Sequence, residues 1–298
     1  MIFQPRILLQ TTIPYTGDDW HIGRFSLLRD HLASLKDPIG NPLYRVTARN
    51  REEDEDGNDV VLSKLDVYGF EQLWLFAVDT GGGLTADDCA AITRFRQRGG
   101  GIFSTRDHHD LGSSLCTLGG VGAAHYFHSK NLDPDETRNV RDNRDAKTID
   151  YPNYHSGSNG DYQRVNPAGD PHPLLRRPDG SAIEHFPAHP HEGGVGAPDE
   201  EHSRVIATGT SEVTGRPFNL IVALEGGMDR HGNRLGRAIA QSSFHHLADY
   251  NWDTEMGCPS FLEEPPGDGL KRNPGALEDI KTYAANAAGW LSNGSYRR

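Results

Sequence analysis

The chain has little cysteine, a deficit of positive charge and no long apolar run. Its three cysteines, Cys89, Cys116 and Cys258, are widely spaced and odd in number. That excludes a disulfide framework and a CxxC zinc site, and a reducing cytoplasm is the expected location. No stretch approaches the roughly 20 apolar residues of a membrane helix, so a membrane is not an expected partner. The segment Met1 to Arg6 has no basic region followed by an apolar one, the pattern of a secretory signal. Lys and Arg number 30 against 42 Asp and Glu, for a net charge of -12. Duplex affinity rests on clustered Lys and Arg, so nucleic acid is not an expected partner either. A GxSxG elbow and a P-loop are both missing.

What is present is a polar but globular composition, with 35% hydrophobic and 24% charged residues, unlike that of a disordered chain. The 34 glycines and 18 prolines imply much loop. The 15 histidines are the least ordinary count in a chain of this length, 298 residues.

Residues 6–98 alternate between strand and helix signals. Ile7-Leu8-Leu9 and Leu73 to Val78 read as buried parallel strands, and Tyr44 to Ala48 as a weaker one. Asp18 and Asp19 are candidate caps for a helix from about Trp20, with Phe25, Leu28, Leu32 and Leu35 on one face. Residues 52–59 read as a solvated acidic loop. Thr85 is a helix N-cap with acidic residues behind it; Arg94, Arg96 and Arg98 close that helix before Gly99-Gly100-Gly101. Ile102 to Thr105 is the next strand. Periodicity fades over 111–204 and returns in strands at 205–208, 218–224 and 237–244. A helix follows Asn273-Pro274, burying Leu277, Ile280, Ala284, Ala287 and Leu291. The βαβ alternation predicts an α/β fold, a mostly parallel sheet with helices on both faces. With no Pro- or Ser-rich linker, the expectation is one domain, 1–298, with a large loop-rich insertion at about 111–204.

Ligands of open parallel sheets bind beyond the carboxyl ends of the strands. Those ends carry Thr11-Thr12, Asp79 to Gly83, Arg106 to His109, and His245-His246. Asp107 with His108 or His109 forms a candidate acid/base pair, and His245 or His246 a second base or metal ligand. Asp249 falls four residues after His245, on one face if a helical turn follows. Arg106 and the loop Gly81-Gly82-Gly83 are candidates for holding an anionic or hydroxyl group. The loop also satisfies GxGxxA, with Asp107 where a ribose-binding carboxylate would stand, so a dinucleotide-binding oxidoreductase is an alternative. Within the insertion, His125 and His128, and His189 and His191, have spacings suited to one face. His189 and His191 with His245, joined by Glu192 or Asp107, would make an N/O set for a divalent metal such as zinc.

Leu73 to Val78, the glycine turn, the helix 85–98, Gly99-Gly100-Gly101-Ile102-Phe103, and Gly236 to Ala240 running to His245-His246 together resemble the class I glutamine amidotransferase-like superfamily. Within it they look like the ThuA-like (trehalose-utilisation) branch. The resemblance covers about 6–110 and 200–255 and implies a flavodoxin-like sheet with its site at the elbow after residue 105. Where amidotransferases carry Cys, this chain reads Thr105-Arg106-Asp107-His108, against thiolate chemistry on glutamine. Phe186 to Glu192 is similar to the Phe-His-Pro-Glu end of the amidotransferase triad, a likeness with meaning only if the fold brings it beside Asp107. The branch implies carbohydrate metabolism. The resulting expectation is an enzyme of hydrolase or lyase type acting on a small polar, carbohydrate-like molecule. The alternative is a non-catalytic ligand- or partner-binding protein on an eroded scaffold, and homo-oligomerisation is left open.

Overall fold

A computed structural model describes residues 4–15, 20–140, 142, 144, 146–199, 202–228, 232, 234–260, 262 and 264–292. The helix-capping role read for Asp18 and Asp19 lies outside these residues.

Eight strands form the central sheet: β1 (Arg6–Pro14), β2 (Arg45–Arg51), β3 (Gln72–Phe76), β4 (Gly101–Thr105), β5 (Asn166–Pro167), β6 (Ser203–Thr210), β7 (Pro217–Leu224) and β8 (Ala238–Gln241). Their order is β2-β1-β3-β4-β8-β7-β6-β5. The first five run parallel, and β7, β6 and β5 continue the sheet antiparallel. This is the expected flavodoxin-like α/β arrangement. The final apolar segment is shorter than the 237–244 read from sequence, because the chain leaves the sheet after Gln241 and Phe244–Leu247 takes a 3-10 turn.

Side chains alternate across the sheet because successive strand residues face opposite ways. Ile7, Leu9, Trp74, Phe76 and Phe103 pack on one face with helices α1 (Ser26–Ser34) and α3 (Pro274–Leu291). Leu8, Leu73, Leu75 and Ile102 pack on the other with α2 (Ala86–Gln97). Both faces of the central strands are therefore covered, which is why β3 reads as an unbroken buried run.

The insertion is built from short pieces. Ser113–Thr117 is a 3-10 turn and Gly120–Ala123 a single helical turn. His125–Tyr126 pairs with Gly194–Val195, and Tyr162–Arg164 with His185–Pro187. Its Tyr154, Leu174, Leu175, Ile183 and Phe186 join the same core as β7. Tyr154 stacks on Phe218 of β7 with ring centroids 4.9 Å apart.

The acidic loop after β2 is only partly the solvated excursion expected. Asp59 is buried, and its carboxylate accepts from the Glu52, Val61 and Leu62 amides and from Arg49. Burial works to raise its pKa, and these donors together hold it below the ordinary carboxylate value. Thr85 caps α2 as read, in a capping box with Asp88. Asp88 also takes a 2.7 Å ion pair from Arg51, and both side chains are buried. Removing one partner of such a pair leaves an uncompensated buried charge. Asp88→Ala is expected to lower stability by about 3–5 kcal/mol, read as a shift in the denaturant midpoint.

Candidate active site

The site lies at the carboxyl ends of the neighbouring strands β4 and β8. Asp107, two residues beyond β4, is 2% exposed. His189 Nε2 lies 3.2 Å from its Oδ1, and His245 Nε2 lies 3.2 Å from its Oδ2. The two imidazoles stack on each other with centroids 3.5 Å apart and planes 13° from parallel. His108 Nδ1 sits 3.1 Å from Oδ2, at an angle that makes no hydrogen bond. His245 is carried by the 3-10 turn after β8, whose N-cap Ser243 accepts from the His245 amide. His189 comes from the insertion, where its amide donates to Ser156 Oγ.

Each ring is held from behind. His189 Nδ1 meets Asn159 Oδ1 at 3.0 Å, His191 Nδ1 meets Asn153 Oδ1 at 3.0 Å, and His245 Nδ1 meets the Tyr250 hydroxyl at 2.6 Å. An amide oxygen only accepts, so Nδ1 of His189 and of His191 carries the proton. Trp20 packs edge-on against His245, with centroids 4.7 Å apart. The assembly floors a cleft of about 1220 Å³, also lined by Thr12, Asp79, Gly82, Gly83, Lys147 and Glu264.

Burial sets the charge state. It pushes His189 well below the ordinary imidazole value, with His245 adding to the effect, and takes His191 to about 4, aided by His108. Burial alone would raise the Asp107 pKa, but His108, His245 and His189 hold it well below the carboxylate range. Burial thus works against charge on the His189, His191 and His245 rings, while the surrounding imidazoles favour the ionised form of Asp107.

The structure gathers Asp107, His108, His189, His191 and His245 around the cleft, with Gly82 and Gly83. Other residues read from sequence lie elsewhere. His109 has a left-handed backbone (φ 50°), which turns its ring away to stack on His128 at 4.5 Å. His246 points behind the turn and meets the buried Glu192 carboxylate at 2.8 Å. Arg106 follows the strand alternation to the opposite side. It is fully buried over the Phe127 ring, 4.0 Å from its centroid, and donates to the His109 carbonyl. Burial takes its pKa down to about 9, which still leaves it protonated at neutral pH, but it cannot touch a molecule in the cleft. Asp249 does not face His245. The helical turn Asp249–Trp252 starts only after the 3-10 turn, and its carboxylate accepts from Ser26 N and Oγ and from Leu27 N at the start of α1.

Gly81 is turned from the cleft, its amide donating to Asp79 Oδ1. A side chain at Gly83 would overlap the Asp79 carboxylate, so the glycines serve to fold the turn over Asp79. The α2 N-terminus that would cradle a pyrophosphate is filled by Asp88, which accepts from the Thr85 amide and from Arg51. The Asp107 carboxylate is already surrounded by imidazoles. These features work against the dinucleotide alternative. The candidate ligand set also changes. Ligand atoms of Asp107, His189 and His245 lie within 4.8 Å of one another, and His191 falls outside that group.

Phe186 to Glu192 does reach Asp107, through His189, while Glu192 joins His246. Glu192 further accepts from Ser156, Gln163 and Ser242. Asn153, Asn159 and Gln163 carried no sequence signal beyond the general polarity of the insertion. The cysteines do not line the cleft, and burial pushes all three thiols up, opposite to an activated nucleophile.

No protein-family model and no curated protein matches the chain. Among solved structures, the mmIFT52 N-terminal domain superposes with a TM-score of 0.53 at 12% identity, over 98% of this chain and 100% of that one. The glutaminase domain of Trypanosoma brucei CTPS with bound acivicin gives 0.46 at 14% identity, over 96% of this chain and 94% of that one. The first likeness is one of fold alone. No helix among the described residues is long and apolar enough to cross a membrane.

Asp249 acts at α1, outside the cleft. Asp249→Ala is therefore expected to cost about 2 kcal/mol, the scale of lost hydrogen bonds to a charged acceptor. Thermal melts would show this loss while ligand binding in the cleft stays unchanged.

Proposed function

We propose that the chain is an enzyme of hydrolase or lyase type, acting on a small polar, carbohydrate-like substrate without a cysteine nucleophile. The observation that carries this reading is the buried Asp107 carboxylate with an imidazole on each oxygen, at the floor of a large cleft. Perturbed ionisable groups converging in a concave site are the mark of acid/base work. Asp107 stands between His245 and His189, whose rings Tyr250 and Asn159 hold from behind. His191, with Nδ1 bound to Asn153 and Nε2 beside Glu264 at the cleft wall, is the proton acceptor of this reading. His108, its ring 5.4 Å from that of His191, is the second proton-transfer group. Thr12, Thr80, Asp79 and Glu53 line the walls and offer donors and acceptors for hydroxyl groups.

The class I glutamine amidotransferase-like superfamily, and the ThuA-like branch as its finer form, fit this reading. Asp107 occupies the elbow where the superfamily carries its thiol, and His189 and Glu192 come from the segment similar to the end of the triad. The acid in place of the thiol favours chemistry other than amide transfer from glutamine.

The test is a panel of nitrophenyl glycosides, sugar esters and lactones. Turnover should fall at least about a hundredfold in Asp107→Asn and in His245→Ala, the scale of acid/base catalysis, while circular dichroism shows the fold retained. Unchanged turnover in both variants would overturn the assignment. Cysteine-dependent glutaminase activity would restore the amidotransferase chemistry.

A further inference from the structure

The His189 contact at Asp107 brings two lone pairs face to face. Asn159 Oδ1 accepts a hydrogen bond from Nδ1–H of His189, so Nε2 of the neutral ring presents a lone pair. That lone pair points at a carboxylate oxygen 3.2 Å away. His191 repeats the pattern, with Asn153 Oδ1 on Nδ1 and Glu264 Oε1 3.4 Å from Nε2. Two acceptors in a dry site repel unless a proton or a cation lies between them. A second proton on each ring would bury several charges in one pocket. One cation shared by the rings and the carboxylate removes the conflict.

The spacing agrees. A charge-assisted N–H···O bond is about 2.7–2.9 Å long, shorter than either contact at Asp107. Ligands held about 2.1 Å from one cation are separated by about 3.0 Å at a right angle and about 3.4 Å at the tetrahedral angle. The two 3.2 Å contacts, one to each carboxylate oxygen, fall inside that interval. A histidine ligand commonly donates its far N–H to a carbonyl or carboxylate, as His189 does to Asn159, and the Tyr250 hydroxyl stands in that place behind His245.

We propose that Asp107, His189 Nε2 and His245 Nε2 form a site for a divalent first-row transition cation of the zinc type, its remaining coordination positions open to the cleft. Two imidazoles and one carboxylate suit such ions better than calcium or magnesium, which take all-oxygen shells. His191 lies just outside the set and remains available for proton transfer. The inference shares the site of the enzyme reading, but ion binding requires no turnover. A second group, His109, His128 and Asp150, also brings its ligand atoms within 4.8 Å of one another. It is more exposed and serves as the control.

The experiment uses the full chain, stripped with chelator and titrated with Zn²⁺ or Co²⁺, followed by elemental analysis after gel filtration. One retained ion per chain and a rise in melting temperature are expected, with visible absorption for the cobalt form. His189→Gln and Asp107→Asn should each weaken binding at least tenfold, and Asn159→Ala by about tenfold to a hundredfold. His128→Ala should leave binding unchanged. Circular dichroism establishes that each variant is folded. Failure of the folded protein to retain zinc, cobalt, manganese or iron would overturn the inference. So would retention indifferent to His189→Gln, or retention lost in His128→Ala. A bound ion without turnover on any substrate removes only the enzyme reading, and turnover by folded protein that retains no ion after titration removes only this one.

Discussion

An ionised carboxylate taken almost wholly out of water must be compensated by its neighbours, and Asp107 is the case around which this molecule is arranged. It stands where the two central strands β4 and β8 end together. The sheet supplies one partner from the adjacent strand, His245. The chain around residues 153–192 covers the other carboxylate oxygen with His189, whose ring Asn159 holds from behind. Burying the carboxylate therefore requires the insertion to fold back over the strand ends. That accounts for why its apolar residues share the core of β7 rather than forming a separate one.

The parts legible in the sequence are those governed by local rules. Continuous apolar runs located the central strands, and Thr85 with acidic residues behind it located the start of α2. From the strands followed the ends, and from the ends the two places where Asp107 and His245 occur. The choice between adjacent residues was not legible. His108 against His109, and His245 against His246, depend on one backbone angle or the phase of a short turn. Asp249 was misread for a related reason: an i,i+4 relation to His245 presumes one helix, whereas a 3-10 turn and a new helical start bring Tyr250 to the ring instead. Asn153 and Asn159 belong to a stretch without periodicity, where position is fixed only by tertiary contacts.

Two acid–imidazole pairs grow from one turn and do different work. Asp107 with His245 opens into the cleft, while Glu192 with His246 is sealed behind it. The segment 186–192 contributes to both, passing His189 to the open pair and Glu192 to the sealed one. The open pair can meet a ligand. The sealed pair fixes the angle at which the turn leaves β8, and with it the direction of His245.

The sealed pair also constrains how this chain can change over generations. His246 is tied to Gln241, Gln241 to Tyr283 of α3, and Glu192 to Ser156, Gln163 and Ser242. Replacing one member alone strands a buried polar atom, at a cost of about 1–3 kcal/mol or more when it is charged. Such residues can be exchanged without that cost only together. Descendants of this sequence would keep the set intact or exchange it as a whole, while the cleft walls drift toward new substrates around an unchanged hinge of hydrogen bonds.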